Sequence, residues 1–382
     1  MTAPQPIKVL FAIPALDQAG PDRVIFELLR GVDRRRFAPS LLVSDPEGHY
    51  LQRLPADVPV HILGITRTTS LRDRYPLLRA LRFVRGAAPD IVLATLRMSF
   101  TIGAIRPVLR RQTRVVLRQA NDLTADFAQL VKLSLVKHRV ARALTIATLR
   151  GADAVVCQSR AMGTDLRALL GRRSRLEVIS NPIDVDAVQA AVAARTVARL
   201  PGTPALVSVG RLAHQKGFDL LLRAIAQVRR RHPAVHLTIY GDGPDREPLQ
   251  DLARSLGISD AVTFAGFSRD PLPHIATADL FVLASRYEGF PNAALEALAC
   301  GTPAVLTDCP GANSEIIAPG VNGQLALSPA APAMADAIEC AIAELGTYDR
   351  RGITEETRRR FGASRIVGEY ERMLTSVLRG EA

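Results

Sequence analysis

Short continuous apolar runs alternate with longer stretches of mixed polarity along this chain, and Gly, Pro or Asp marks nearly every junction. Runs of four to eight apolar residues bounded by turn formers read as strands buried on both faces. Their regular alternation with helix-length segments predicts an α/β protein with parallel sheets. In the first half the predicted strands are 8–13, 40–43, 91–95, 114–117 and 154–156, with a loop over 14–21 and a helix over 22–31. Asn181-Pro182-Ile183-Asp184 reads as a turn that closes this series. An Ala- and Val-rich stretch with few signs of a packed strand runs on to Pro201-Gly202. A second series follows, with predicted strands 205–209, 236–240, 261–264, 280–284, 304–307 and 323–327. The expectation is two doubly wound domains, 1–182 and 204–358, joined by a linker over 183–203. A C-terminal helix over 359–382 is expected to pack back toward the first domain. Ligands of such sheets sit outside the carboxyl ends of the strands.

Composition narrows the classes. At 382 residues, with 48% hydrophobic and 23% charged positions, the chain is long enough for two or three cores and is not intrinsically disordered. Cys157, Cys300, Cys309 and Cys340 show no CxxC spacing, which argues against a zinc ribbon or a disulfide framework and suits a reducing compartment. No uncharged apolar run nears the roughly 20 residues of a membrane span, and only Lys8 precedes the first strand pattern, so no signal peptide is expected. These features predict a soluble cytoplasmic protein.

Charge is distributed unevenly. Residues 1–190 hold 29 Lys+Arg against 16 Asp+Glu, whereas residues 191–382 hold 20 against 21. The first half therefore suits an anionic partner: nucleic acid, a membrane surface or a phosphorylated acceptor. Two basic stretches, 70–85 and 130–150, concentrate the surplus, and the second mixes apolar residues at helical spacing. It packs one face and solvates the other, or it lies on an anionic bilayer at the inner face of the membrane.

The second half carries the chemistry. Glu288-Gly289-Phe290-Pro291-Asn292 continues into AALEALACGTPAV, with Glu288 in the loop after a strand and Asn292 positioned to cap a helix that Gly301 and Pro303 end. Glu296 falls within that helix. Helix N-terminal amides and the macrodipole favour an anion such as a diphosphate, while two carboxylates accept hydrogen bonds from vicinal hydroxyls. Gly210-Arg211-Leu212-Ala213-His214-Gln215-Lys216-Gly217 places two cations in one strand-to-helix loop, and Lys216 is the sole lysine after Lys137. Such cations neutralise a diphosphate leaving group without a metal ion. Asp184-Val185-Asp186 spells a metal-binding DxD, but beside Asn181-Pro182 it reads as turn chemistry. Gly241-Asp242-Gly243 lacks a third glycine and reads as a tight turn. Seven scattered histidines without an HExxH pair suggest no metal site.

GRLAHQKG followed about seventy residues later by EGFPNAALEALACGTP resembles the retaining glycosyltransferases of family 4, whose GT-B fold is two Rossmann-like doubly wound domains facing across a deep cleft. IYGDGP, FAGF, IATADLFVLAS and NPID fall in the family's order, and in the first half AGPDRVIFELLRGV resembles its glycine-rich first loop and helix, with Ala19 where a second glycine is usual. The resemblance implies a nucleotide-diphosphate sugar donor, with a UDP-sugar favoured, and no divalent metal or other cofactor. It implies that Gly210, Arg211 and Lys216 hold the diphosphate, Glu296 the ribose, and Glu288 with the Gly289, Phe290, Pro291 and Asn292 backbone the sugar. Gly266 and Phe267 would pack the base. Arg211, Lys216 and Glu288 would be the catalytic set. In the first domain Gly20 belongs to the glycine-rich loop, and Gln119 stands where many members carry a histidine; Arg118 and Asn121 flank it as candidate acceptor contacts. Gln cannot take a proton, so no acid/base role transfers to Gln119. The implied acceptor is a glycan or a lipid-linked molecule of cell-surface polysaccharide, lipopolysaccharide or glycolipid synthesis. Two rivals are a sugar-nucleotide isomerase or hydrolase without an acceptor, and a basic nucleic-acid-binding protein. The second is weakened by 5% aromatic content and no Trp, which leaves few stacking platforms.

Overall fold

The structure, a computed structural model, describes residues 5–17, 20–64, 75–120, 123 and 135–381. These divide into two units, residues 1–182 with 363–382 and residues 183–362. Asn121, Ala19 and parts of the two basic stretches, residues 70–74 and 130–134, lie outside the described residues.

Among the described residues the first unit holds seven parallel strands: β1 (Ile7–Ile13), β2 (Phe37–Val43), β3 (Val60–Ile62), β4 (Ile91–Thr95), β5 (Arg114–Arg118), β6 (Ala154–Cys157) and β7 (Leu176–Val178). Their order is β3-β2-β1-β4-β5-β6-β7. Side chains alternate across a strand, so a sheet covered on both sides needs apolar residues at every position. Val9, Phe11 and Ile13 join one core cluster, and Leu10 and Ala12 join the other. Ile91 and Leu93 separate from Val92 and Ala94 in the same way. The C-terminal helix Ala363–Arg379 buries Ile366, Val367, Tyr370, Met373, Leu374 and Val377, a helical-period stripe that seals the first of these clusters beside the helix Gly20–Gly31. Glu371 ties it down by pairing with Arg36 at 3.0 Å and accepting from the Asp33 N–H at 2.7 Å.

The second unit holds six parallel strands: β8 (Ala205–Val209), β9 (His236–Tyr240), β10 (Val262–Gly266), β11 (Leu280–Leu283), β12 (Ala304–Thr307) and β13 (Gly323–Ala326). The order is β10-β9-β8-β11-β12-β13. The chain builds outward from β8 in one direction and then restarts at its other side with β11. That reversal is the topological switch point at which open α/β sheets bind ligands. The helix Phe218–Val228 covers the sheet with Phe218, Leu221, Leu222, Ile225 and Val228 fully buried, each contributing about 1.5–3 kcal/mol of burial.

Two boundaries differ from expectation. Residues 183–203 are not a free linker, because the helix Val185–Ala193 lies within them and Val185, Val188 and Leu200 are buried in the second core. Asp184 caps that helix, accepting from the Ala187 N–H at 3.0 Å, and Asp186 pairs with Arg358. Both carboxylates of the DxD are thus spent on capping and an ion pair. Residues 359–382 are likewise not one helix: Arg350–Phe361 ends in the second unit, and the helix of the first unit starts at Ala363. The short strands Val60–Ile62 and Leu176–Val178 escape the apolar-run criterion because each is an edge with half-exposed or exposed positions.

Candidate active site

β8 and β11 are neighbours, so the loops leaving their carboxyl ends emerge side by side although about seventy residues of chain separate them. Those loops are the 210–217 and 284–292 segments. They are stitched together along their length: the Arg286 N–H donates to the Gln215 carbonyl at 2.8 Å, Gln215 Nε2 to the Tyr287 carbonyl at 3.1 Å, and Arg286 Nη1 to the His214 carbonyl at 2.8 Å. Arg286 also makes a forked pair with Asp219 at 2.8 and 2.7 Å. That guanidinium holds the Asp219 carboxyl below the usual carboxylate range.

The stitching brings Lys216 to Glu288. Lys216 Nζ lies 2.6 Å from Glu288 Oε1, which also accepts from Ser285 Oγ at 2.6 Å. Glu288 is 4% exposed and Ser285 is fully buried. A buried carboxylate is tolerable only when paired and hydrogen-bonded, and both conditions are met here. Thr307, at the end of β12, donates to the Ser285 carbonyl at 2.5 Å and so braces the residue that braces Glu288. Glu288 Oε2 accepts from no described residue, and two of the three Lys216 N–H donors have no described partner. The pair therefore shares one contact and keeps an acceptor and donors for a ligand.

Backbone packing fixes the loops closely. Gly217 has φ 62°, and a Cβ there would collide with the Ala284 carbonyl oxygen. Gly311 has φ 133°, and a Cβ there would strike the Glu288 carbonyl oxygen. Only glycine permits both the torsion and the approach. The Glu288 N–H donates to the Pro310 carbonyl at 2.9 Å, which closes the third side of the site. Gly241 and Gly243 pack against the carbonyls of Gly210 and Leu212 in the same manner, so that turn serves close packing of the β8 and β9 loops. Burial, reinforced by Glu288, pushes the Cys309 thiol up to about 12.

The remaining expected donor residues distribute as follows. Arg211 is exposed and has no hydrogen bond or ion pair among the described residues. The helix after Glu288 runs Asn292–Ala299, so Pro291 rather than Asn292 occupies the cap position, without a side-chain cap bond. Asn292 is its first residue, and Gly301, at φ 76°, follows its end. Glu296 stands one turn in and is half-buried. Gly289 and Pro291 are buried, and Phe290 turns its side chain into the core, edge to face with Phe361 at 5.9 Å. Phe290 thus offers a ligand its backbone only. Gly266 ends β10 at φ 79°, Gly241 donates its N–H to the Gly266 carbonyl at 2.8 Å, and Phe267 is 66% exposed.

In the first unit Gly20 opens the helix Gly20–Gly31, whose Asp22 accepts from the Asp17 N–H at 3.0 Å. Gln119 follows β5, its N–H donating to the Val156 carbonyl at 2.8 Å and its carbonyl accepting from Gln158 Nε2 at 2.6 Å. Arg118 corrects the expectation of an acceptor contact. It is 1% exposed, with Nε donating to the Tyr370 hydroxyl at 3.2 Å and Nη2 to Asn181 Oδ1 at 2.6 Å. A side chain so enclosed holds the C-terminal helix and the end of the first unit in place. Among the described residues no group of three His, Cys, Asp or Glu could hold a metal ion, and no helix is long and apolar enough to cross a membrane.

Ser285, Gln215, Arg286, Asp219 and Gly311 were not singled out from the sequence, yet they position the Lys216–Glu288 pair. Ser285 carried the one usable signal, a polar residue closing the apolar run LFVLA.

The chain resembles known proteins in both of its units. The profile described as Glycosyltransferase Family 4 matches residues 19–187, and that described as Glycosyl transferases group 1 matches residues 195–360. The lipopolysaccharide core biosynthesis glycosyltransferase LpsE of Rhizobium meliloti (strain 1021) is 30% identical over 272 residues, covering 70% of this chain and 75% of its own. The crystal structure of Anabaena HepE in complex with UDP-glucose superposes with a TM-score of 0.75 at 22% identity, covering 97% of this chain and all of that one. The apo form of the lipopolysaccharide outer core galactosyltransferase WaaB gives a TM-score of 0.73 at 20% identity, covering 97% and 99%. Two Rossmann-like units of this topology are the GT-B fold. The chain belongs to glycosyltransferase family 4.

Proposed function

We propose that the protein transfers a sugar, with retention of anomeric configuration and without a divalent metal, from a UDP-sugar to a glycan or lipid-linked acceptor of lipopolysaccharide or related glycolipid synthesis. The observation that carries this reading is the Lys216–Glu288 pair at the β8/β11 switch point. Departure of the nucleotide leaves positive charge on the anomeric carbon and negative charge on the diphosphate. Lys216, with exposed Arg211, stabilises the second, and the Glu288 carboxylate, bound to the sugar, stabilises the first. The N–H groups of Gly289 and Phe290 donate to no described acceptor and remain for the sugar or phosphate. Glu296 holds the ribose, and Gly266 with Phe267 packs the base. With glutamine at 119, the departing phosphate oxygen takes the acceptor's proton. The lipopolysaccharide assignment is supported by the name of the Rhizobium relative, and the UDP preference by the ligand of the HepE structure. We place the enzyme in the cytoplasm, with its basic first half toward an anionic surface.

Thermal-shift measurements against UDP-, GDP- and ADP-sugars test the donor: a UDP-sugar should raise the melting temperature most. Proton NMR of the transfer product should show the donor's anomeric configuration. Inversion, or no shift with any of the three nucleotides, contradicts the reading.

A further inference from the structure

The first unit contains a cavity of about 510 Å³, lined by Leu96, Phe100, Gln119, Leu123, Thr148 and Leu149 among others. That volume lies in the range of small-molecule sites. Leu96 follows β4 and Gln119 follows β5, so the cavity opens at the carboxyl ends of adjacent strands, where parallel sheets place ligands. Leu96 has φ 55° and ψ −138°, a conformation that side chains rarely adopt and that concentrates at functional sites.

Two further features say what would enter. Arg97 stands at the rim, exposed, and makes no side-chain hydrogen bond or ion pair among the described residues. It begins the helix Arg97–Ile105, whose start has no side-chain cap bond, so unpaired amides add to the positive potential. Phe100, one turn further on, is 42% exposed over the same opening. The opposite wall is the helix Leu135–Arg150, in which Val140 and Leu144 are 53% and 52% exposed and Thr148 lines the cavity. Positions 140, 144 and 148 lie on one ridge, a track of about 12 Å of which Thr148 alone lines the cavity. Exposed Arg139 and Arg142 flank the track.

We propose that this cavity holds the apolar chain of an anionic amphiphile, with the chain against Leu96, Phe100, Leu123 and Leu149 and the anionic group on Arg97. Resting on the transferase reading above, this makes the acceptor a lipid-linked anionic molecule rather than a free glycan.

Isothermal titration with dodecyl phosphate, kept below its micelle concentration, tests the inference directly. The wild type should bind one molecule at least tenfold more tightly than the neutral dodecyl maltoside, and should not bind inorganic phosphate over the same range. Arg97→Glu should weaken dodecyl phosphate at least tenfold, and Phe100→Asp should abolish its binding; both positions are exposed, so the fold should survive. UDP titration of the same samples reports on the other unit. Normal UDP binding with no preference for dodecyl phosphate, or with full dodecyl phosphate binding by Phe100→Asp, overturns the amphiphile inference alone. Loss of UDP binding by the wild type, with the pocket still binding its amphiphile, overturns the transferase reading on which the acceptor role rests.

Discussion

The two units share a scaffold and differ in what they put at its strand ends. Both sheets run 3-2-1-4-5-6 in strand order, the first with one strand more. In the second unit the loops at the switch point are locked by Gly217, Gly311, the Arg286–Asp219 fork and Ser285 around a half-buried ion pair. In the first unit the ends of β4 and β5, one strand along from its own β1/β4 switch point, open on an apolar cavity, and the buried Arg118 is turned inward to Tyr370 and Asn181. One set of strand ends presents an ion pair, the other an apolar hollow. Function resides in loops grafted onto a common fold, and the sharing of the fold says little about which ligand each half takes.

The sharpest way to break that contrast is at the ion pair. Glu288→Gln and Lys216→Ala should each lower kcat/KM a hundredfold or more, about 2.7 kcal/mol, in steady-state transfer assays. Near-normal rates in either would remove the second unit's claim to the chemistry. Arg118→Leu, in the other half, should cost about 2–4 kcal/mol of stability in urea titrations, because it removes the buried hydrogen bonds that Arg118 gives Asn181 and Tyr370, while UDP affinity stays within twofold. A selective rise in acceptor KM, with stability intact, would restore it as an acceptor contact.

Gly217→Ala should cost about 1–3 kcal/mol and weaken UDP, since the alanine must leave the left-handed region and back away from the Ala284 carbonyl. Arg286→Ala should cost only about 0.5–1 kcal/mol at pH 7, because the Asp219 side chain is 40% exposed and its pair is screened. Asp219 titrates lower in the folded than in the unfolded chain, so the wild type's advantage is full above the ordinary carboxylate range. It fades as pH falls through the folded value. Melting curves of both proteins from pH 7 to pH 3 should therefore converge. Excess EDTA should leave transfer unchanged, and activity lost to EDTA and restored by Mn²⁺ would reopen metal-assisted chemistry.

Much of this was legible in the sequence, for physical reasons. Buried parallel strands favour apolar residues on both faces, so β4, β8, β9 and β12 coincide residue for residue with the strands expected from the mostly apolar runs. The pair Lys216 and Glu288 stood out because both lie in loops after such strands. The illegible parts depend on contacts between distant segments. The helix Val185–Ala193 is short and Ala-rich, and its place in the second core rests on Val185 and Val188 meeting residues far along the chain. Arg118 looked like a ligand contact because arginine is usually exposed, and only Tyr370, 252 residues away, shows why it is buried. The apolar cavity had no motif at all, being assembled from three separate segments.

Isothermal titration of UDP into the wild type and into Lys216→Ala reads the donor site without an acceptor, a sugar or turnover. Loss of one charge-assisted contact to the diphosphate should weaken UDP by about tenfold to a hundredfold, the equivalent of about 1.4–2.7 kcal/mol. Equal affinity in a folded Lys216→Ala protein would mean that the charged switch point of the second unit is not where the nucleotide is held.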